Sequence, residues 1–169
     1  MAQIGKIKVI WLLVVIALLI AGCSYSRENN DVVVPESAPV ETEPNVETIP
    51  GDTQPSTTNP SNGGSVSLSY SNQVTIDLSR KTATLYFANP IRSNQDIILQ
   101  IVVAGEVIAQ SGLIPAGCQV TRLSLTPDVT SKIGTGAYSG KFVIYYYDQQ
   151  TGNKAAVNTE IPIYILSAK

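Results

Sequence analysis

Few side chains of this chain could do chemistry, and the types that are missing exclude several classes of site. The 169 residues include no histidine, the usual general base at neutral pH and the commonest transition-metal ligand. Without histidine, a Ser–His–Asp or Cys–His nucleophile cannot be built. The two cysteines are Cys23 and Cys118. We expect Cys118 to be a small packing residue near the start of a strand; an exposed thiol there would instead permit a mixed disulfide or a dimer.

Carboxylates are the remaining catalytic option. After residue 65 they are Asp77, Asp96, Glu106, Asp128, Asp148 and Glu160. Glycosidases need two carboxyl groups about 5–10 Å apart, and the sequence reveals no such pair. Neither Asp128 nor Asp148 lies in a D-x-D-x-D-G calcium loop, and Gly134-Thr135-Gly136 lacks the lysine of a phosphate-binding loop. The sequence therefore predicts neither an enzyme nor a bound metal or cofactor, with a carboxylate-dependent envelope hydrolase as the alternative.

The first cysteine ends a short apolar run. Lys6 and Lys8 precede the uncharged run Val9–Gly22, which has the order of a signal peptide: a positive region and then an apolar one. An uncleaved transmembrane anchor is the alternative, but the run is shorter than the ~20 residues that a membrane-spanning helix needs. The sequence therefore favours a cleaved signal peptide.

Ile20-Ala21-Gly22-Cys23 resembles the cleavage motif of bacterial lipoproteins, with two small residues directly before the cysteine. The resemblance implies that residues 1–22 are removed and that Cys23 becomes the N-terminus, carrying diacylglycerol and palmitate. It also implies a protein anchored in the bacterial cell membrane outside the cytoplasm. Because Ser24 follows the cysteine, the sorting rule of this family would not retain the protein at the inner membrane of a host that has an outer membrane.

Residues 23–64 comprise this cysteine and an acidic segment rich in Pro, Ser and Thr. From residue 27 to 64 there are six prolines and seven acids, but only one base, Arg27, and no aromatic residue. Such a composition cannot bury enough apolar surface to offset the entropy of ordering the chain. We therefore predict a disordered stalk that holds a domain away from the lipid surface, with an acidic interaction tail as the alternative.

Residues 65–169 are predicted to form a single domain of β-strands. Apolar and polar residues alternate in short runs between turn residues. The alternating apolar positions include Val66, Leu68, Val74, Ile76, Leu85, Phe87, Leu123 and Leu125. Residues 97–103 are apolar on both faces, as in a central strand, and Ala104-Gly105-Glu106 predicts a tight hairpin turn. The fold predicted is all-β, a single antiparallel immunoglobulin-like β-sandwich.

The last two predicted strands carry three local signals. Gly136-Ala137-Tyr138 is typical of a tyrosine corner, in which the phenol bonds back to the backbone. Pro162 lies inside the final strand and cannot donate to a ladder, so we expect an edge or a bulge there. In Tyr145-Tyr146-Tyr147, alternation predicts that Tyr146 faces the core. Tyr145 and Tyr147 would then share an exposed face suited to stacking on a sugar or to a protein interface, unless they form an aromatic ladder that only supports the sheet.

The loop Ser111-Gly112-Leu113-Ile114-Pro115-Ala116-Gly117, followed by the Gly-x-Tyr step, resembles the Gly-Leu-Ile-Pro-Pro-Gly loop of small uncharacterised surface proteins of Gram-positive bacteria. The resemblance spans about half of the domain and departs from the family at Ala116. It implies a surface protein and brings no assigned activity.

Charge excludes one class of partner. The domain has six acids and eight bases that are scattered along it, whereas nucleic-acid binding requires a basic stripe.

Taken together, the motif at Cys23, the acidic segment and the β-strand pattern predict a membrane-anchored cell-envelope lipoprotein. Its non-catalytic β-sandwich would be a binding or scaffolding module for an envelope protein or glycan. An accessory subunit of a membrane transporter or sensor is the alternative.

Overall fold

The computed structural model describes residues 32–52 and 66–169. Its strands are β1 (Val46–Thr48), β2 (Ser69–Tyr70), β3 (Gln73–Asp77), β4 (Thr82–Asn89), β5 (Gln95–Val103), β6 (Glu106–Gln110), β7 (Cys118–Ser124), β8 (Gly136–Asp148) and β9 (Lys154–Ala168). A single helical turn, α1 (Val129–Lys132), interrupts the described strands. The prediction of an all-β fold is confirmed.

The strands form a β-sandwich built from one curled sheet. Neighbouring strands follow the order β1-β7-β4-β3-β9-β8-β5-β6, and β2 pairs with β4 beside β3. All these pairs are antiparallel except β3–β9, which is parallel. Because β3 bonds to both β4 and β9, it joins the two layers, β1-β7-β4 and β9-β8-β5-β6, into a continuous surface.

The core lies between the two layers and follows the predicted alternation. Val74, Ile76, Leu85 and Phe87 are buried on the inner face. Residues 97–103 of β5 are all buried, as expected for a strand that is covered on both sides. The Phe87 ring meets the Phe142 ring edge to face, with centroids 5.5 Å apart.

Three local predictions are also confirmed. Ala104 and Gly105 have positive φ angles of 51° and 88° in the β5–β6 hairpin, as a two-residue hairpin turn of this hand requires. The Tyr138 hydroxyl donates to the Gly134 carbonyl oxygen at 3.2 Å, which is the predicted tyrosine corner. β9 pairs with β3 only from Tyr164 onward. On that side Pro162 therefore faces no described strand, and its missing N–H costs no ladder hydrogen bond.

The prediction that the acidic segment is disordered is wrong for residues 32–52, which we call the strap. Within the strap, β1 pairs with β7 as the edge strand of one layer. Glu43 is buried, and the N–H of Ile49 donates to the Gly117 carbonyl oxygen at 2.9 Å. The strap gains these bonds through its backbone, so its low content of apolar side chains does not prevent docking. The rest of the predicted stalk lies outside the described residues.

Candidate interaction surface

The two tyrosines predicted to form an exposed pair do not form one. Tyr147 is fully buried, so the prediction that it lies on a recognition surface is wrong. Tyr145 is half-buried and lines a shallow depression of about 390 Å³ with residues 154–158. Tyr146 is buried with the core, as predicted, and its hydroxyl donates to Thr159 Oγ1 at 2.7 Å.

The start of the strap is the reason for the burial of Tyr147. The Tyr147 hydroxyl donates to the Pro35 carbonyl oxygen at 2.8 Å. Beside it, Lys154 pairs with the Glu36 carboxylate, and the Lys154 N–H donates to the Glu36 carbonyl oxygen at 3.1 Å. Burial, followed by the negative charge of Glu36, raises the pKa of the Tyr147 phenol. This phenol therefore stays a neutral hydrogen-bond donor that holds the strap.

The strap also occupies the loop of residues 111–117. The Glu43 carboxylate accepts the N–H of Gly112 at 2.8 Å, and the Glu43 N–H donates to the Leu113 carbonyl oxygen at 2.9 Å. A Cβ atom at Gly112 would lie 2.8 Å from the Glu43 backbone nitrogen. Glycine at this position therefore lets the two backbones approach. The loop therefore binds the protein's own strap, and the Gly112 N–H and the Leu113 carbonyl oxygen are not free to bind another molecule.

The chemically active side chains of the domain are engaged in structural contacts. The Asp148 carboxylate accepts the Thr151 N–H at 2.7 Å and the Gln150 N–H at 3.0 Å, and these bonds, chiefly those from Thr151, lower its pKa. The Asp96 carboxylate accepts the Ala116 N–H at 3.2 Å. Burial, followed by the charge of Asp96, raises the pKa of the half-buried Cys118 thiol, which disfavours the reactive thiolate.

Residues 32–52 and 66–169 contain no group of three or more His, Cys, Asp or Glu side chains arranged to hold a metal ion. The same residues contain no helix with the length and apolar character needed to cross a membrane. Cys23 and the predicted signal peptide lie outside the described residues.

The largest exposed hydrophobic side chains of the domain's sheet include two on the C-terminal half of β9. Tyr164 is 68% exposed and Leu166 is 59% exposed. Between and beside them, Ile163 and Ile165 point inward and are buried. Tyr164 and Leu166 therefore project together from the opposite side of the sheet, away from the core.

The residues that flank Tyr164 and Leu166 on the adjacent strands are all uncharged. Leu166 lies between Thr75 on β3 and Ala137 on β8. Tyr164 lies between Gln73 on β3 and Ser139 on β8. The row through Leu166 continues from Thr75 to Thr84 on β4. Tyr86 lies two residues beyond Thr84 on the same face of β4 and is 37% exposed. We call this set the outer face; its members are Gln73, Thr75, Thr84, Tyr86, Ala137, Ser139, Tyr164 and Leu166.

The outer face has no charged member, although the domain has fourteen charged residues from Asp77 to Lys169. Charges lie only around it. Arg122 on β7 is the register neighbour of Thr84. Asp77 is paired with Arg80, with 3.7 Å between carboxylate oxygen and guanidinium nitrogen, and Lys141 is paired with Glu160 at 2.7 Å. The result is a neutral face of aromatic, hydroxyl and amide groups with charged groups at its rim.

The outer face was not predicted from the sequence. The signal was present in Ile163-Tyr164-Ile165-Leu166. This run is apolar on both faces of its strand, whereas the neighbouring strands alternate between apolar and polar residues. That pattern is typical either of a strand buried on both sides or of one with an exposed apolar face, and only the position of β9 distinguishes the two.

No family model and no curated protein matches this chain. Among solved structures, the chain is similar to AggA, the major subunit of aggregative adherence fimbriae type I from Escherichia coli. The similarity covers 66% of this chain and 99% of that chain, at 11% identity and a TM-score of 0.30. At this level the likeness carries nothing about function from that protein to this one.

Proposed function

We propose that the protein is a lipid-anchored component of the bacterial cell envelope whose β-sandwich is a binding or scaffolding module. The anchor is the thiol of Cys23, and the support for it is the motif Ile20-Ala21-Gly22-Cys23 after a short apolar run. The module acts by contact with a partner and not by turnover. Partner and membrane are then brought together by one chain.

The observation that carries the binding role is the outer face. Tyr164 and Leu166 are neighbours on one side of β9, and both are more than half exposed. Single exposed apolar residues need no explanation, but a contiguous set on a rigid sheet is typical of an interaction site. Tyrosine suits this role because it offers a large amphipathic surface with few rotatable bonds to immobilise.

The docked strap shortens the spacer that this proposal requires. Eight residues, 24–31, lie between Cys23 and the strap. At ~3.3–3.6 Å per residue, such a spacer reaches at most ~30 Å. The module is therefore held close to the lipid and is not raised on a long stalk.

Lipidation is tested by metabolic labelling of the full chain with an alkyne analogue of palmitate, followed by mass spectrometry of the membrane fraction. The wild-type protein should carry the label and begin at Cys23. Cys118→Ser is the matched control and should be labelled equally, whereas Cys23→Ser should be unlabelled, because it lacks the thiol that would carry the lipid. An abundant species that begins at Met1 or Ala2 would contradict the lipoprotein assignment and favour an uncleaved anchor.

An accessory subunit of a membrane transporter or sensor would use the same outer face with a protein partner. Crosslinking in intact cells distinguishes this role: a photoreactive residue at position 164 should then capture one defined membrane protein, whereas the same residue at Val157, an exposed position elsewhere on β9, should not.

A further inference from the structure

We infer that the strap sets the length of the lipid tether: docked, it keeps the module near the membrane, and pulled free, it lets the module move outward. The change in reach rests on the proposed anchor at Cys23, whereas the release of the strap does not. Eight residues, 24–31, separate that anchor from the docked strap. With the strap released, residues 24–65 all belong to the tether, and these 42 residues reach at most ~150 Å when fully extended.

The strap lies between the anchor and the domain along the chain, so it carries any force that acts between them. Covalently, Cys23 reaches the domain only through residues 24–65. A pull between the lipid and a partner bound to the domain therefore acts on the strap at its N-terminal end. The first described hydrogen bond there joins the Pro35 carbonyl oxygen to the Tyr147 hydroxyl.

The strap is held by separate groups of polar bonds and adds little to the core. Glu43 is its only buried residue, whereas Val33 is 75% exposed and Val40 is fully exposed. Its hydrogen bonds to the domain fall into groups at residues 35–38, 41–43, 46–49 and 52. Groups spaced along a segment that is pulled from one end are loaded in turn. A segment with few buried apolar contacts also opens at a lower free energy than the core does.

The core of the domain is complete without the strap. The buried apolar residues of the described chain all lie between Val74 and Ile165. From the strap, only the partly buried Val46 packs against them. The strap's strand β1 stands at the end of the strand order, so its removal leaves the other strand pairs in place. The strap can therefore detach as one unit while the domain stays folded.

The register of β1 allows the strap to be locked by a single substitution. Thr48 lies opposite Cys118 on β7. Because the Ile49 N–H donates to the Gly117 carbonyl oxygen, Thr48 and Cys118 form a pair of the non-hydrogen-bonded type, with Cα atoms about 4.5 Å apart. That separation lies within the range of disulfides. Thr48→Cys should therefore form a disulfide with Cys118 on oxidation, which peptide mass mapping verifies.

Release is measured on the full chain in detergent micelles, held in optical tweezers through labelling tags inserted after Asn29 and fused after Lys169. We expect the wild-type protein to extend in two steps, first as the strap detaches and then, at higher force, as the domain unfolds. The first step frees residues 36–65, which is about 100 Å of extended chain. Relaxing the force after this step should restore the starting length, because the domain is still folded.

Thr48→Cys provides its own matched control, since dithiothreitol reverses the lock. In the oxidised variant only residues 36–47 can be freed, so the first step should be less than half as long as in the wild-type protein. The reduced variant should behave like the wild-type protein. Gly112→Ala, whose added Cβ would crowd the Glu43 backbone, should lower the force of the first step and leave that of the second unchanged.

The proposed release is overturned if the wild-type protein extends in a single step in which strap and domain open together. It is also overturned if the oxidised and reduced forms of Thr48→Cys give the same first step, because that step is then not the detachment of the strap. None of these results bears on the labelling of Cys23 with palmitate. The proposed anchor and the release of the strap therefore fail separately.

Discussion

Tyr138 forms two hydrogen bonds with one backbone residue, and both can be removed without changing the packing of the ring. Its hydroxyl accepts the Gly134 N–H at 3.1 Å and donates to the Gly134 carbonyl oxygen at 3.2 Å. We expect Tyr138→Phe to lower the free energy of unfolding by about 0.5–1.5 kcal/mol, the net value of a typical intramolecular hydrogen bond. Denaturant titration measures this difference. Tyr164→Phe is the matched control, because that side chain is 68% exposed; equal stability of the two variants would contradict a structural role for the corner.

Residues differ in how far their environment can be inferred from the sequence. The corner at Tyr138 was predictable because its partner is four residues away and Gly136 gives the local signal. The burial of Tyr147 was not predictable, because its partner Pro35 is 112 residues away. Period-two alternation identifies which side chains share a face. It does not identify which of two faces another segment covers.

At the scale of elements, the close approach of the strap and the loop at Gly112 offers a direct test. A Cβ at position 112 would lie 2.8 Å and 2.9 Å from backbone atoms of Glu43, distances at which one backbone must move. We expect Gly112→Ala to cost about 1–3 kcal/mol, as overpacking does, and to speed hydrogen exchange at the Glu43 amide. Gly134→Ala is the matched control, since its nearest contact there would be the Tyr138 hydroxyl at 3.8 Å. Unchanged exchange at Glu43 in Gly112→Ala would show that the loop does not hold the strap.

The strap shows why composition alone gave the wrong result for residues 32–52. Five carboxylates, no base and several prolines in this segment satisfy the usual criteria for disorder. Those criteria count apolar burial, whereas the strap is held by backbone pairs and by carboxylates that accept backbone N–H groups. Asp52, for example, accepts the Ile91 N–H at 2.7 Å. The strands of the domain were predictable because their side chains bury apolar area, which is the quantity that alternation reports.

At the scale of the whole molecule, the outer face exists because of strand order, which the sequence does not reveal. β3 lies between β4 and β9, and the β3–β9 pair is parallel. Strands consecutive in sequence usually pair as neighbours, but β3 and β9 are separated by most of the domain. The all-β class and the hairpin of β5 and β6 depend on local patterns and were predicted. The row that joins Thr75 to Leu166 depends on a long-range pair and could not be.

The strap is part of the fold, because its residues also bond to residues that are distant in sequence. A chain of residues 66–169 lacks the edge strand β1, the acceptor for the Tyr147 hydroxyl and the partner of Lys154. We expect it to be less stable than a chain of residues 32–169 by about 1–3 kcal/mol, because loss of the strap leaves the Tyr147 hydroxyl without its acceptor, and a buried donor without a partner costs about that much. Thermal unfolding followed by circular dichroism measures the difference. The uncovered edge of β7 should also promote self-association of the shorter chain.

A synthetic peptide of residues 32–52 should restore part of this stability in trans, because a ligand that binds only the folded state raises the unfolding temperature once its concentration exceeds its Kd. Strand addition to an exposed sheet edge is an established mode of peptide recognition. The effect should weaken when the peptide carries Glu43→Ala, since the carboxylate that accepts the Gly112 N–H is lost. It should persist with Val40→Ala, because that side chain is fully exposed. If both peptides leave the unfolding temperature of residues 66–169 unchanged, and the two chains are equally stable, the strap contributes nothing to the fold.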